Sequence, residues 1–342
     1  MVSSLPIQTN FSLREFNTFG IDAKARAYLP VCDSSALLAV RNDLELSQMR
    51  RLVLGGGSNI VLTGDFDGLV LHLCNRGIEI VGEDDDAHYV RAAAGENWHG
   101  FVQWTLAHRL GGLENLSLIP GSVGASPIQN IGAYGVEVKD CLHLVSAFDF
   151  ATGETLELTN AQCRFEYRDS IFKHSLRDRA VILSVTFALP KRWQPKTRYA
   201  DVAQELVVRG IDNPAPRDIS EAVIAIRTRK LPDPAKIGNA GSFFKNPVVT
   251  PQQRDALLAQ YPQLVSYPQP DGSVKLAAGW LIDQCGWKGK TAGAAGVYDK
   301  QALVLVNHGG ASGKDIAQLA EAIRADVAKR FGVTLEPEPV FL

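Results

Sequence analysis

Apolar residues recur at helical spacing in four stretches, and a fifth is marked by an N-cap followed by a proline. Asp33 and Ser34 precede Leu37, Leu38, Val40 and Leu44; Asn97 to Arg109 carries Trp98, Phe101, Val102, Thr105 and Leu106 on one face and stops at Gly111-Gly112. Asp218 with Glu221 fits a capping box ahead of Val223, Ile224 and Ile226, and Thr250-Pro251 fits an N-cap followed by a first-turn proline. Ser312 with Asp315 opens the longest pattern, Ile316, Leu319, Ile323 and Val327, which ends at Gly332. Between these stretches, Arg51 to Leu54, Ile60 to Leu62, Ala180 to Leu189 and Ala302 to Val306 read as strands. Helices and strands mixed in this order predict an α+β protein.

The 342 residues are enough for two domains of ordinary size, and 46% hydrophobic with 21% charged residues is a globular composition. Three segments are expected: residues 1–72, a strand-rich 73–213, and 214–342 beyond the polar, proline-containing connector Asp212 to Asp218. The net charge of −2 gives no general attraction to nucleic acid or to an anionic membrane. The apolar runs are strand-length, and the N-terminus, Met1 to Asn10, shows no secretory pattern, so a cytoplasmic protein with no membrane partner is expected. The five cysteines form no Cys-x-x-Cys pair and the seven histidines no His-x-x-x-His spacing. Neither a metal site nor a redox dithiol is expected, and most of the cysteines read as buried thiols.

Two loops stand out for what they lack. Gly55-Gly56-Gly57-Ser58-Asn59 has the glycines of a backbone nest for phosphate but neither a Walker lysine nor the third Rossmann glycine; it is either such a nest or a β-turn between two strands. Ile119 to Gly135, IPGSVGASPIQNIGAYG, runs seventeen positions without a charge. It either lies against a large cofactor or packs as an internal turn. Tyr167-Arg168-Asp169-Ser170 offers an arginine that could clamp a carboxylate, with Asp169 to orient it, or else a solvated ion-paired turn. Gly241-Ser242-Phe243-Phe244-Lys245-Asn246-Pro247 sets a serine outside any Gly-x-Ser-x-Gly elbow, either as a site or as an ordinary turn. By itself, Leu335-Glu336-Pro337-Glu338-Pro339 reads as an exposed acidic tail held extended by prolines.

Together with Asn17-Thr18-Phe19-Gly20, Lys230-Leu231-Pro232-Asp233-Pro234 and the run Asp271 to Gly286, these motifs cover almost the whole chain. In them it closely resembles the UDP-N-acetylenolpyruvoylglucosamine reductases of the longer, first type, flavoenzymes that complete UDP-N-acetylmuramate for bacterial peptidoglycan. It departs from that family in having Gly56 where an acidic residue is common and Pro339 after Glu338.

The resemblance implies that residues 1–72 and 73–213 are two subdomains of an FAD-binding fold of the vanillyl-alcohol-oxidase (PCMH) type. Residues 214–342 would then form an α+β domain for the UDP-sugar. It implies FAD held without a covalent bond, NADPH as hydride donor, and a monomer. It places Gly55, Gly56, Gly57, Ser58, Asn59, Ile119, Pro120, Gly121, Gly124, Ser126, Ile131, Gly132 and Arg227 at the cofactor. It places Tyr134, Tyr199, Lys230, Asn246, Tyr267, Lys275 and Gln301 at the UDP-sugar or the NADPH phosphates. Hydride would pass from flavin N5 to C3 of the enolpyruvyl ether. Ser242 would protonate C2, while Arg168 and Glu338 stabilise the charge built up beside the carboxylate.

Overall fold

A computed structural model describes residues 5–342, so the first four positions of the N-terminal reading lie outside the described residues. The chain packs into two compact units. The first comprises the residues up to Phe11, Ala25–Gly57 and Asp67–Arg229; the second comprises Ser12–Lys24, Ser58–Phe66 and Lys230–Leu342. These units cut across the segments read from the sequence.

The first unit holds helices α1 (Ser34–Asn42), α2 (Trp98–Ala107), α3 (Ala200–Val208) and α4 (Pro216–Lys230), whose last residue belongs to the second unit. Its larger sheet has five strands in the order Thr155–Thr159, Leu142–Asp149, Ala180–Pro190, Ala87–Ala93, Ile78–Glu83. Ala180–Pro190 lies at its centre, burying Val181, Ile182, Val185, Phe187 and Leu189. Trp98 and Phe101 of α2 pack on Phe187, with ring centroids 5.9 and 4.9 Å away. A four-stranded sheet in the order Gln8–Ser12, Lys24–Val31, Phe66–Leu73, Arg51–Leu54 completes the unit, except that its terminal residues Ser12, Lys24 and Phe66 belong to the second.

The local signals held closely. Asp33 caps α1 through the Ser35 amide at 2.8 Å, and Asn97 caps α2 through the Gly100 amide at 2.8 Å. The end of α2 differs from expectation: Arg109, at φ 62°, takes the left-handed turn two residues before the glycines. The start of α4 also differs. Pro216 is its first residue, and the Asp218 carboxylate reaches back to the Ala215 amide at 2.8 Å. The helix therefore begins before Asp218, which acts as an N3 residue rather than as the cap.

The second unit contains α5 (Pro251–Gln260), α6 (Ala278–Gln284) and α7 (Gly313–Phe331). One sheet runs Gly238–Ser242, Val304–Asn307, Ala295–Val297, Thr291–Ala292, and a smaller one runs Val248–Val249, Val274–Leu276, Ser266–Pro268. Capping boxes at Thr250/Gln253 and Ser312/Asp315 open α5 and α7, and Gly332 at φ 65° closes α7. The Asn17–Gly20 motif is a clasp within this unit. Its Phe19 carbonyl accepts the Asn307 amide group at 2.9 Å, and Thr18 accepts the Asn239 backbone N–H at 3.0 Å. A Cβ on Gly238 would stand 2.3 Å from the Phe19 oxygen, so glycine is required where that strand passes the clasp.

Candidate active site

In the first unit, the two uncharged loops meet back to back. A Cβ on Gly56 would lie 2.9 Å from the Gly121 Cα, and one on Gly55 would lie 2.3 Å from the Ser122 hydroxyl oxygen. The turn between strands considered for Gly55–Asn59 is not what forms. Arg51–Leu54 pairs in parallel with Phe66–Leu73, whereas Ile60–Val61 pairs with Val340–Phe341 of the C-terminus. Beside the meeting point lies a cavity of about 130 Å³, walled by Gly55, Gly56, Leu73, Gly95, Gly121 and the side chains of His72, Arg76, Asn97 and Ser122. That is small beside the ~300–1,000 Å³ of a whole-ligand pocket, so it suits a polar fragment of a larger ligand.

Ser122 Oγ is buried and has no hydrogen-bond partner among the described residues, which marks a polar atom turned toward a ligand. Arg76 supplies the cation. Burial first, then Arg76, lowers the His72 pKa and favours the neutral ring that contacts Tyr28 Oη at 2.6 Å. The sequence reading missed Ser122, Arg76, Asn97 and His72. Ser122 could have been found, because it sits inside the uncharged loop; the others become neighbours only through the sheet.

Other loop residues serve the loop itself. Gly57 adopts a positive φ, 60°, whereas Gly124 does not. The Gly124 amide is donated to Ala94 O at 2.9 Å, and a Cβ there would lie 2.5 Å from the Ala94 side chain. Packing is therefore what demands glycine at 124. Ser126 Oγ donates to Val123 O at 2.7 Å, and the Ile131 amide donates to Ser126 O at 3.1 Å. Ile119 and Ile131 are half-buried against the hydrophobic core. Pro120 is exposed in the same loop.

The Arg168 turn is fastened to the same loop. Ser170 Oγ donates to Ile128 O at 2.7 Å, Asn130 Nδ2 donates to Glu166 O at 3.0 Å, and Arg168 Nη2 donates to Gly132 O at 3.0 Å. Asp169 does not orient Arg168, contrary to the sequence reading. Its carboxylate meets His174 at 2.7 Å and the Ser170 amide at 3.0 Å. Leu118, Asn130, Tyr134 and Arg168 all hold positive φ, between 45° and 59°. For Leu, Tyr and Arg that conformation is uncommon, and such backbone strain gathers at functional sites. Tyr134 lies edge-on to Tyr199, centroids 5.2 Å apart, and also contacts Arg227, whose Nε donates to Leu118 O at 3.2 Å. Burial raises the Tyr134 pKa and lowers that of Arg227.

In the second unit, Ser242 ends the strand Gly238–Ser242 after Gly241, which has φ 69°. Its side chain is exposed, and its hydroxyl has no hydrogen-bond partner among the described residues. The next two residues, Phe243 and Phe244, are buried at 0% and 1% exposure and anchor it. The C-terminal segment pairs alongside. Glu338 N donates to Phe243 O at 2.8 Å, Lys245 N donates to Glu336 O at 2.9 Å, and Phe244 bridges Pro337. The segment is thus a paired strand rather than an exposed tail. It brings Glu338 beside the residue that follows Ser242. Pro339 is accommodated because the ladder uses the amides on either side of it, Glu338 N and Val340 N.

Asn59 clamps this segment: its Nδ2 donates to Glu338 O at 3.2 Å, and its carbonyl accepts Val340 N at 3.0 Å. Ser58 and Asn59 belong to the second unit, whereas Gly55–Gly57 belong to the first. Asn246 Oδ1 accepts the Ala278 amide at 2.9 Å and so caps α6. Tyr267 and Lys275 are cross-strand partners, Gln301 Oε1 accepts the Leu303 amide at 3.2 Å, and Lys230 ends α4 exposed. A larger cavity of about 450 Å³, between α5 and the end of α7, has no titratable side chain on its walls. It holds none of these residues.

Residues 33–159 match the FAD binding domain family, and residues 233–342 match the family described as UDP-N-acetylenolpyruvoylglucosamine reductase, C-terminal domain. Across its length the chain is 59% identical to the UDP-N-acetylenolpyruvoylglucosamine reductase of Paraburkholderia phymatum, over 99% of each protein. It belongs to the UDP-N-acetylenolpyruvoylglucosamine reductase family. The enzyme of the same name from Burkholderia mallei is 58% identical over 99% of each chain. The crystal structure of the enzyme from Thermus caldophilus superposes with a TM-score of 0.68 over 98% of both chains, at 23% identity, and shares the fold. The chain is therefore an FAD-dependent oxidoreductase with an FAD-binding fold and an α+β C-terminal region.

The first unit fits the cofactor. The unpartnered Ser122 hydroxyl, the Arg76 cation and the side-chain-free backbone at Gly55, Gly56 and Gly121 together suit an anionic pyrophosphate. Gly56→Ala tests this fit. Its methyl would meet backbone rather than a flexible side chain, so the two loops must part. The variant should stay folded by circular dichroism but purify with less than about a tenth of the wild-type flavin, since a lost charge-assisted contact costs on the order of 1.5–3 kcal/mol. A fully yellow Gly56→Ala protein would show that this cradle does not hold the cofactor.

Proposed function

We propose that the protein catalyses the NADPH-dependent reduction of UDP-N-acetylglucosamine enolpyruvate to UDP-N-acetylmuramate, in peptidoglycan precursor synthesis. The supporting observation is the full-length identity of 59% to a reductase of that name, together with a serine hydroxyl left unpartnered on a rigid strand. When bound, FAD would be held by the Gly55, Gly56, Gly121 and Ser122 cradle and would supply the hydride-transfer chemistry between NADPH and C3 of the enolpyruvyl ether. The protein supplies the proton and the charge stabilisation.

Ser242 donates its proton to C2. The hydroxyl is a weak acid, but carbon bearing enolate-like charge is a strong base, and transfer needs a correctly held donor. The paired aromatics Phe243 and Phe244 hold that donor in place. Arg168 offers a forked guanidinium to the substrate carboxylate, with one nitrogen already fixed by Gly132 O. Glu338, placed by Phe243 and Asn59, acts on the same charge. Tyr134, Tyr199, Lys230, Asn246, Tyr267, Lys275 and Gln301 are assigned to the UDP-sugar or the NADPH phosphates. Arg227, Ile119, Pro120, Gly121, Gly124, Ser126, Ile131 and Gly132, with Gly55–Asn59, are assigned to the cofactor loops. Residues 1–72 and 73–213 are assigned to FAD and 214–342 to the UDP-sugar, in a cytoplasmic monomer.

The reading is tested by anaerobic mixing. NADPH should bleach the flavin, and the enolpyruvyl nucleotide, not its dephosphorylated sugar, should restore the colour. Reoxidation by oxygen but not by the enolpyruvyl nucleotide would refute it. A further expectation concerns Asn59, which the sequence assigned to the cofactor and which holds the C-terminal strand. Asn59→Ala should keep its flavin and lose about five-fold in turnover, as expected for one hydrogen bond of roughly 1 kcal/mol that positions Glu338. Flavin-to-protein absorbance ratios, read beside steady-state rates, separate the two roles; loss of flavin would return Asn59 to the cofactor.

A further inference from the structure

The cysteines, read from the sequence as unpaired, do not all stay apart. Cys32 and Cys74 are 42 positions apart in sequence, yet their Sγ atoms lie 2.8 Å from one another. Cys32 directly follows the strand Lys24–Val31 and Cys74 directly follows Phe66–Leu73, two neighbours in one sheet. The backbone fixes their approach, because the Cys74 amide donates to Val31 O at 3.0 Å. Cys32 is exposed and Cys74 half-buried, so a solute reaches the first and the second stands behind it. Cys141 and Cys163, in contrast, are buried in the core.

We propose that Cys32 and Cys74 form a reversible dithiol–disulfide site, oxidised by low-molecular-weight disulfides of the glutathione class. In the first step the Cys32 thiolate attacks one sulfur of the small disulfide, forming a mixed disulfide and expelling one small thiolate. Cys74 then loses its proton and attacks the Cys32 sulfur, forming the protein disulfide and expelling the second small thiolate. Two protein thiols are oxidised, one small disulfide is reduced to two thiols, and an excess of small thiol reverses both steps. Burial first, and then the hydrogen bond with Cys32, push the Cys74 thiol up to about 11. Cys74 thus stays protonated until its neighbour has reacted, so the exposed sulfur meets the oxidant first.

The bridge would close a loop containing Gly55 and Gly56, and it would pin the strand end from which Leu73 and Arg76 wall the small cavity. The flavin-loaded protein, incubated with glutathione disulfide, should lose two hydrogens in intact mass and carry no glutathione. Of its five cysteines, three should then be alkylated in denaturant, and a non-reducing peptide map should contain the Cys32–Cys74 link. Dithiothreitol should restore five. Because the cross-link restricts the unfolded chain, the oxidised protein should melt about 3–6 °C higher. Cys32→Ser, an exposed substitution, and Cys74→Ser should each abolish the two-hydrogen loss and the melting shift. Five alkylatable thiols after oxidation, a stable glutathione adduct without the link, or a link between other cysteines would each overturn the proposal.

Discussion

Ser242→Ala should leave NADPH-driven bleaching of the flavin within about two-fold of wild type while slowing reoxidation by the enolpyruvyl nucleotide by roughly 10²–10⁴-fold, the usual scale of a lost general acid. The asymmetry follows from the chemistry. Hydride transfer from NADPH needs no hydroxyl, whereas forming the C2–H bond needs a proton delivered at carbon. The structure removes the competing account in which Ser242 closes its turn by bonding the backbone, because its hydroxyl has no partner among the described residues. Truncation should therefore cost little stability, since an exposed hydroxyl contributes little to folding. Ser242→Cys should keep part of the reoxidation rate, as a protic group of similar reach. The measurement is anaerobic stopped flow on each half-reaction. Equal slowing of both phases, or undiminished reoxidation, would take Ser242 out of the chemistry.

Arg168→Lys should lower kcat/KM by about 30- to 1,000-fold, equivalent to roughly 2–4 kcal/mol of lost electrostatic stabilisation in the transition state. Lysine keeps the charge but loses the planar fork. In this fold Arg168 Nη2 donates to Gly132 O at 3.0 Å, and on the proposed reading the same planar group also binds the substrate carboxylate. A lysine ammonium cannot hold both in one plane. Stability should change far less than turnover, by about 1 kcal/mol, because the turn keeps its Ser170–Ile128 and Asn130–Glu166 contacts. Steady-state kinetics beside thermal unfolding decide the matter. Near-normal turnover with unchanged unfolding would show that Arg168 only fastens its loop.

Much of this protein was determined within short stretches of sequence. Asp33, Asn97, Thr250 and Ser312 cap the helices they precede, because a helix start leaves orphan amides that a side chain one to three residues away can satisfy. The chemistry-bearing motifs were legible for a similar reason: a run of seventeen uncharged residues, or a serine before two phenylalanines, is written in consecutive letters. What the sequence could not decide were choices among partners far along the chain. Asp169 had both Arg168 and His174 within reach, and the fold selected His174. Gly55–Gly57 and Ser58–Asn59 read as one motif, but the chain passes from one packing unit to the other between them, so the glycines face Gly121 and Ser122 while Asn59 clamps Glu338 and Val340. Cys32 and Cys74 carried no spacing signal because only two neighbouring strands of one sheet, ending together, bring their sulfurs into contact. Local hydrogen-bond needs are met by residues a turn away and can be read in order; strand register and neighbour order are set by burial of the whole chain, and they alone decide which distant side chains meet.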